Sequence, residues 1–261
     1  MPTTPIIYIN LDKDSERRSR LQAQLEQLGL SGQRLPGVWW KNLNQPERSR
    51  YYSDELNAQQ YYKPLVDGEK GCYASHLKAC QHLLDSDAPS LVVFEDDIQL
   101  LPSLPKALEA IEALPPDWDM IKLFGREDEK IRAQHPLAPG LALIRYQRVP
   151  SFATGYVISR RGAEKTLASR LPFGRPVDVD WRFWFENDMH IYGVSPSVIA
   201  LDDTSEVSSI WEKREPLTGA QRRRKFWMKL RLTLGNARGL RKISGAQDWL
   251  RQLARPDSSK R

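Results

Sequence analysis

The chain has 261 residues, 40% of them hydrophobic, eight Trp and a formal net charge of +6. This fits a globular protein of one α/β domain with an appendage, and no window approaches 18 uninterrupted apolar residues, which argues against a membrane span. The charge is lopsided: residues 221–261 hold thirteen Lys or Arg against Asp248 and Asp257, a net of +11, so the first 220 residues carry −5.

Met1-Pro2-Thr3-Thr4 leads straight into a strand at Ile6–Asn10, with no basic stretch or cleavage site, so no secretory signal is expected. A helix follows over Asp12–Leu28, with Leu21, Leu25 and Leu28 on one face and Gly29 as its stop. Arg34–Trp39 reads as a second strand. Lys41–Val66 is polar and Tyr-rich and reads as loop with short helical pieces. Glu69–Leu84 has helical spacing and carries Cys72 and Cys80, about 12 Å apart along its axis. They are too distant for a disulfide and are expected as reduced thiols in a cytosol.

Leu91-Val92-Val93-Phe94 then reads as a strand covered on both faces, and it runs into Glu95-Asp96-Asp97. Three adjacent acids are costly to crowd unless water or a cation neutralises them, and open α/β sheets bind ligands at the carboxyl ends of strands. A hard divalent cation, Mg²⁺ or Mn²⁺, bridging to a diphosphate is the economical reading. A solvated acidic turn is the alternative. Further along, a helix is expected at Leu104–Leu114, stopped by Pro115-Pro116, and a strand at Asp119–Phe124. Leu141–Tyr146 and Thr154–Ser159 read as a pair of strands, Arg161–Leu171 as a helix, Asp178–Asp188 as an aromatic helix or turn, and Ile191–Val194 as a strand. No internal repeat is visible.

Four blocks together resemble the family 25 glycosyltransferases, which include bacterial lipooligosaccharide galactosyltransferases and collagen galactosyltransferase domains. They are Ile7-Tyr8-Ile9-Asn10-Leu11-Asp12 with Glu16-Arg17-Arg18; Gly68-Glu69-Lys70-Gly71-Cys72-Tyr73-Ala74-Ser75-His76-Leu77; Val93-Phe94-Glu95-Asp96-Asp97-Ile98; and Thr154–Ser159 to Gly162-Ala163, with Pro176-Val177-Asp178 downstream. The resemblance covers roughly residues 5–200. It implies a GT-A-like α/β fold, a Rossmann-type mostly parallel sheet with flanking helices, over 1–215; residues 216–261 read separately, from charge and spacing, as a basic helical tail. It also implies an inverting transferase using a UDP-sugar donor.

In that light Asn10, Leu11 and Asp12 would meet the nucleotide base and ribose, and Arg17 or Arg18 a phosphate. Glu69, Ser75 and His76 would lie at the donor sugar or diphosphate, near a helix start that favours anions. Glu95 and Asp97 would share one face of their strand as a D-x-D-like pair led by Glu, with Asp96 on the other. Asp97 is the first candidate metal ligand. Glu95 would serve ribose or metal, and Asp96 would reach the sugar. Thr154–Ser159, with Gly155, would line the acceptor cleft. Asp178 is the candidate base for the acceptor hydroxyl, Asp180 the second choice, and capping of the next helix the alternative role for Asp178. Asp202, Asp203 and His190 are late candidates for the metal.

In the tail, Phe226, Trp227, Leu230 and Leu234 form a helical stripe among Arg222, Arg223, Arg224, Lys225, Lys229 and Arg231. Ala246, Trp249, Leu250 and Leu253 repeat it. Basic amphipathic helices with Trp lie on anionic membranes; helices packed on the body with their charges solvated are the alternative. The expected partners are therefore a UDP-sugar, a lipid-linked oligosaccharide acceptor and the inner face of the cytoplasmic membrane, with no nucleic acid. The product would be a hexosylated lipooligosaccharide, galactose from UDP-galactose being the leading donor. A catalytically inactive binding protein with a basic tail is the rival. A Mg²⁺-dependent phosphatase is disfavoured, because Glu95 stands where that chemistry needs an Asp nucleophile.

Overall fold

A computed structural model describes residues 2–202, 216–243, 250 and 253. In chain order, β1 (Ile6–Asn10) leads to α1 (Ser15–Gln27) and β2 (Gln33–Pro36). The polar stretch expected as loop contains two short helices, α2 (Gln45–Tyr51) and α3 (Asp54–Gln60). Asn44 and Glu47 start α2 with a reciprocal capping box. Next come α4 (Asp67–Leu84), β3 (Ser90–Glu95), β4 (Ile98–Leu100), α5 (Leu104–Glu112) and β5 (Met120–Lys122). The hairpin β6 (Ile131–Ala138) and β7 (Leu141–Tyr146) precedes β8 (Gly155–Ser159), α6 (Arg160–Arg170) and α7 (Val177–Asp180). A 3₁₀ segment over Trp181–Glu186, β9 (Ile191–Ser195), β10 (Ile199–Leu201) and α8 (Gly219–Ile243) complete the described chain.

Eight strands form one sheet in the order β2-β1-β3-β8-β5-β9-β7-β6. β1 is parallel to β2 and β3, and β5 to β9, whereas β8 and β7 each run antiparallel to both neighbours. Six of the eight strands thus point one way, and the sheet is mostly parallel as expected. The expected pairing of Leu141–Tyr146 with Thr154–Ser159 does not occur: β7 pairs with β6 and β9, and β8 sits between β3 and β5.

Alternation along the strands sorts residues between two cores. On one face Ile7, Leu91, Val93, Tyr156 and Ile158 pack with α4 and with Trp181 and Trp184. On the other, Tyr8, Val92, Phe94 and Val157 pack with α1 and α5. α5 buries Leu104, Ala107, Leu108 and Ile111, one helical stripe. The layers approach closely at Gly162, whose added Cβ would lie 2.2 Å from the carbonyl oxygen of Asp119. Gly162→Ala is therefore expected to cost about 2–3 kcal/mol, read as a lower urea midpoint at unchanged slope.

The tail is only partly what its stripe suggested. α8 is one 25-residue helix that buries Leu232, Asn236, Gly239 and Leu240 on the body, while Leu234 of the stripe stays exposed. Gly235 and Gly239 lie where a Cβ would collide with Phe185 and Trp184, and Asn236 accepts from Trp184 Nε1 at 3.0 Å. Phe226 and Trp227 are 61% and 59% exposed. Leu250 and Leu253 pack on the α1/α5 core, while Ala246 and Trp249 lie outside the described residues.

Candidate active site

β1, β3 and β5 point the same way, so Asn10, Glu95 and Lys122 end at one edge of the sheet, the usual ligand edge of such folds. Apolar Leu91–Phe94 is fully buried, and the strand stops at Glu95, whose N–H donates to Thr154 O at 2.9 Å. The chain bends at Asp96 and Asp97, so the expected alternation breaks there. Glu95 and Asp97 do not share a strand face.

Glu95 turns to α4, where His76 Nε2 lies 3.2 Å and Cys72 Sγ 3.4 Å from its Oε1. Asp96 accepts from Asn10 Nδ2 at 2.6 Å. Arg17 Nη1 lies 3.5 Å from Asp96 and 3.9 Å from Asp97. Asp97 Oδ1 is buried with no hydrogen-bond partner among the described residues. Burial first, then the charges of Glu95 and Asp96, push the Asp97 carboxyl up to about 7. Burial also raises Asp96. For Glu95 burial is outweighed by the bonds from His76 and Cys72 and the charge on Lys122, and its pKa is lowered.

Several expected donor contacts prove to be structural ties. Asn10 is a buried hub: Nδ2 also donates to Asp14 O, and Oδ1 accepts from Arg34 Nε. Asp12 does not start α1; it is 87% exposed and pairs with Arg34, whose hydrogen bond and charge hold its carboxyl below the ordinary range. Leu11 packs against Gly37. Glu69 accepts from Val66 N and meets Lys63, closing the first turn of α4. With Asp67 and Glu69 in that turn, the helix dipole already has its negative partners, so the expected anion site is not favoured. Ser75 is buried, donating to Gly71 O and accepting from Val38 N. His76 is buried too, its Nδ1 2.9 Å from Tyr156 Oη. β8 is a central core strand: a Cβ on Gly155 would strike Ile199 and Phe94, so this glycine serves packing rather than an acceptor cleft.

The far side of the site holds Asp178, at the start of α7. Its Oδ1 accepts from Val179 N at 2.8 Å, so it makes the local cap-like bond while remaining partly accessible. Burial raises its pKa to about 6, against the Val179 bond and the Lys122 charge, with Glu69 and Glu95 adding to the rise. Lys122, unnoticed in the sequence, is fully buried, donating to Pro150 O at 3.0 Å and to Phe152 O. Its ammonium lies 5.2 Å from the Trp181 ring centre, and burial lowers its pKa to about 7. The signal was there: one lysine inside the apolar run Met120-Ile121-Lys122-Leu123-Phe124. Beyond it, Arg126, Arg148, Arg182, Glu129 and Phe152 line a cleft of about 160 Å³.

Asp180, the second candidate base, is corrected. Its carboxylate is 2% exposed and is held by Tyr73 Oη, Arg170 and Arg175, which also grip Glu186. Arg231 of α8 joins them at Glu186. Removing that charge leaves two buried arginines with Glu186 alone, so Asp180→Asn is expected to lose about 3 kcal/mol, measured by chemical denaturation. His190 precedes β9, at the end of the sheet opposite Lys122, and faces Asp117; it is no metal candidate. Asp202 does approach the acids, its N–H donating to Asp97 O at 3.1 Å and its carboxylate meeting Arg20 at 3.0 Å. Asp203 lies outside the described residues.

The donor set fits a hard cation at Asp97. Asp97 Oδ1 is an unpartnered buried carboxylate oxygen with the neighbouring Asp96 carboxylate sharing Arg17, oxygen donors of the kind Mg²⁺ or Mn²⁺ takes, whereas the Asp202 carboxylate is turned to Arg20. Glu95 is drawn off to a thiol and an imidazole, so its expected place as a second ligand is weakened.

The family model for glycosyltransferase family 25 (LPS biosynthesis protein) matches residues 3–181, and the chain belongs to that family. Human procollagen galactosyltransferase 2 is 25% identical over 82% of this chain and 39% of its own length. The procollagen galactosyltransferase 1-A of Xenopus laevis is 28% identical over 67% and 30%. Human inactive glycosyltransferase 25 family member 3 is 30% identical over 67% and 30%. The chain thus spans about a third of the length of these curated relatives. A glycosyltransferase involved in the glycosylation of the major capsid of PBCV-1 aligns at a TM-score of 0.40 and 9% identity, over 87% of this chain and all of that one.

Proposed function

We propose that this chain transfers galactose from UDP-galactose to a sugar of a lipid-linked lipooligosaccharide, with inversion and the help of Mg²⁺ or Mn²⁺. The observation that carries the reading is the buried acid cluster at the end of β3, with Asp97 Oδ1 unpartnered, in a chain of family 25. The donor class follows the names of the galactosyltransferase relatives, and the acceptor class follows the family's description as an LPS biosynthesis protein.

Asp97 and Asp96 would hold the cation, which would supply charge neutralisation for the departing diphosphate. Arg17 is placed to orient the acids and to meet a phosphate oxygen when donor enters. Asp178 takes the proton of the acceptor hydroxyl as that oxygen attacks the anomeric carbon from the face opposite UDP. Lys122 sets the potential at Asp178 and, through Pro150 and Phe152, fixes the wall between the base and the arginine-lined cleft.

The test is UDP release from a panel of UDP-sugars with Mn²⁺, Mg²⁺ or EDTA, using wild type and Asp97→Ala. Metal-dependent release from one sugar, lost in the variant, supports the reading; release that survives EDTA removes the cation from it. The inactive human relative favours one rival, a glycan-binding protein without turnover. Binding of UDP-sugars with no release under any condition would select it.

For location we propose the inner face of the cytoplasmic membrane. Among the described residues no helix is long and apolar enough to cross a membrane. Support comes instead from α8, which has nine Lys or Arg, no acid, and Phe226 and Trp227 projecting. Phe226→Ser with Trp227→Ser is expected to cut sedimentation with anionic lipid vesicles severalfold while leaving the melting temperature unchanged. Equal sedimentation would remove the membrane from the account.

A further inference from the structure

Cys72 and His76 stand four residues apart on α4, so both side chains project from one face of the helix. Glu95, the last residue of β3, reaches that face. Its Oε1 lies 3.4 Å from Cys72 Sγ and 3.2 Å from His76 Nε2, and all three ligand atoms fall within 4.8 Å of one another. The other imidazole nitrogen is 2.9 Å from Tyr156 Oη, an arrangement that fixes the ring, as outer partners do for metal-bound histidines. Trp181 closes against both rings, at 5.6 Å from His76 and 4.7 Å from Tyr156.

We propose that Cys72, His76 and Glu95 form a site for one thiophilic divalent cation of the Zn²⁺ class, distinct from the oxygen-lined position at Asp97. One sulfur, one imidazole nitrogen and one carboxylate oxygen are a poor set for Mg²⁺, which wants about six oxygens. They are three of the four tetrahedral positions Zn²⁺ takes, at about 2.3 Å to sulfur and 2.0–2.2 Å to nitrogen and oxygen. The separations of these atoms accommodate such an ion with side-chain adjustments and no movement of α4 or β3. The fourth position would open on the side of Glu95 that faces the site, since Glu95 is 23% exposed and His76 2%.

Occupancy would hold Glu95 against α4, where Cys72 and His76 already draw it, so the binding claim does not rest on the transferase reading.

Co²⁺ reports this site directly, because a cobalt–thiolate bond gives a near-ultraviolet charge-transfer band that oxygen and nitrogen ligands do not. The metal-free full chain titrated with Co²⁺ is expected to develop that band at one equivalent, and Zn²⁺ to abolish it. Cys72→Ala and His76→Gln, confirmed as folded by near-ultraviolet circular dichroism, are expected to lose the band and the saturable binding. Cys80→Ala and Asp97→Asn keep both. The wild-type spectrum needs no variant, so a misfolded Cys72→Ala leaves the test intact. No band at saturating Co²⁺, a band that survives in folded Cys72→Ala, or one that disappears in Asp97→Asn would each overturn the proposal. Zn²⁺ binding in a chain that turns over no nucleotide sugar would uphold the site and discard the transferase.

Discussion

Asp97→Asn is expected to abolish donor turnover while making the metal-free protein harder to melt. In the folded chain the Asp97 carboxyl is raised from 3.8 to about 7 by burial and by the charges of Glu95 and Asp96. A carboxyl with a raised folded pKa disfavours the native state once it must ionise. The cost is absent below the unfolded value, grows as pH climbs from about 4 to about 7, and is full above that. At pH 7.5 the wild-type chain bears it whole, whereas the isosteric amide does not. The melting temperature of the metal-free variant should therefore exceed that of wild type by several degrees at pH 7.5, with the gap closing towards pH 4. Mg²⁺ or Mn²⁺ should raise the melting temperature of wild type and leave the variant where it is. Transfer should fall by at least about 100-fold, the scale on which removal of one electrostatic stabiliser is felt. A variant that melts lower at every pH would show that Asp97 is held by partners rather than kept ionised against its surroundings.

Asp178→Asn should lower kcat by about 10²–10⁴-fold, the usual weight of a general base, with UDP affinity unaltered because the base acts on the acceptor hydroxyl. The wild-type profile carries a second check. Burial brings Asp178 to about 6, and a base must be ionised to accept a proton. Thus kcat/KM should rise with pH through about 6 and flatten above it. Lys122→Met removes a cation that stabilises the ionised form, so that limb should move to higher pH. A limb that stays in place would take Lys122 out of the base's surroundings, and full activity in Asp178→Asn would take the base elsewhere.

What could be read from the sequence was mainly local. The apolar run Leu91–Phe94, the stripe Leu21 and Leu25 of α1 and the periodic helix through Ala79 and Leu83 all carry their own period, and each folds as that period requires. The misreadings fall where a partner distant in sequence decides. β6 is polar and alternating with Pro136 inside it, tolerable because it is the edge strand and pairs only with β7. The insertion of β8 between β3 and β5 turned an expected cleft wall into core. In the site, Asp97 and Asp178 were visible as acids after a strand and after a proline. That Asp180 lies inside an arginine cage depends on Arg170, Arg175 and Tyr73, which no spacing rule links to it. Asn10 was expected at a nucleotide because its block resembled the family's; its amide is instead consumed by Asp96, Asp14 and Arg34. Lys122 escaped notice because a single lysine at the end of a strand is ordinarily a surface residue that snorkels.

Helix α8 behaves as a boom. Its C-terminal half is seated on Trp184 and Phe185 and bolted at Glu186 through Arg231. Met228 and Lys225 tie the other half to the core and to Tyr62, and Trp227 stands thirteen residues from Leu240, about 20 Å along the helix. Whatever surface the outboard end grips is thereby held at a set stand-off and bearing from the acid cluster. Because Glu186 shares its arginines with Asp180, two residues from Asp178, torque on the boom is delivered to the floor beneath the candidate base.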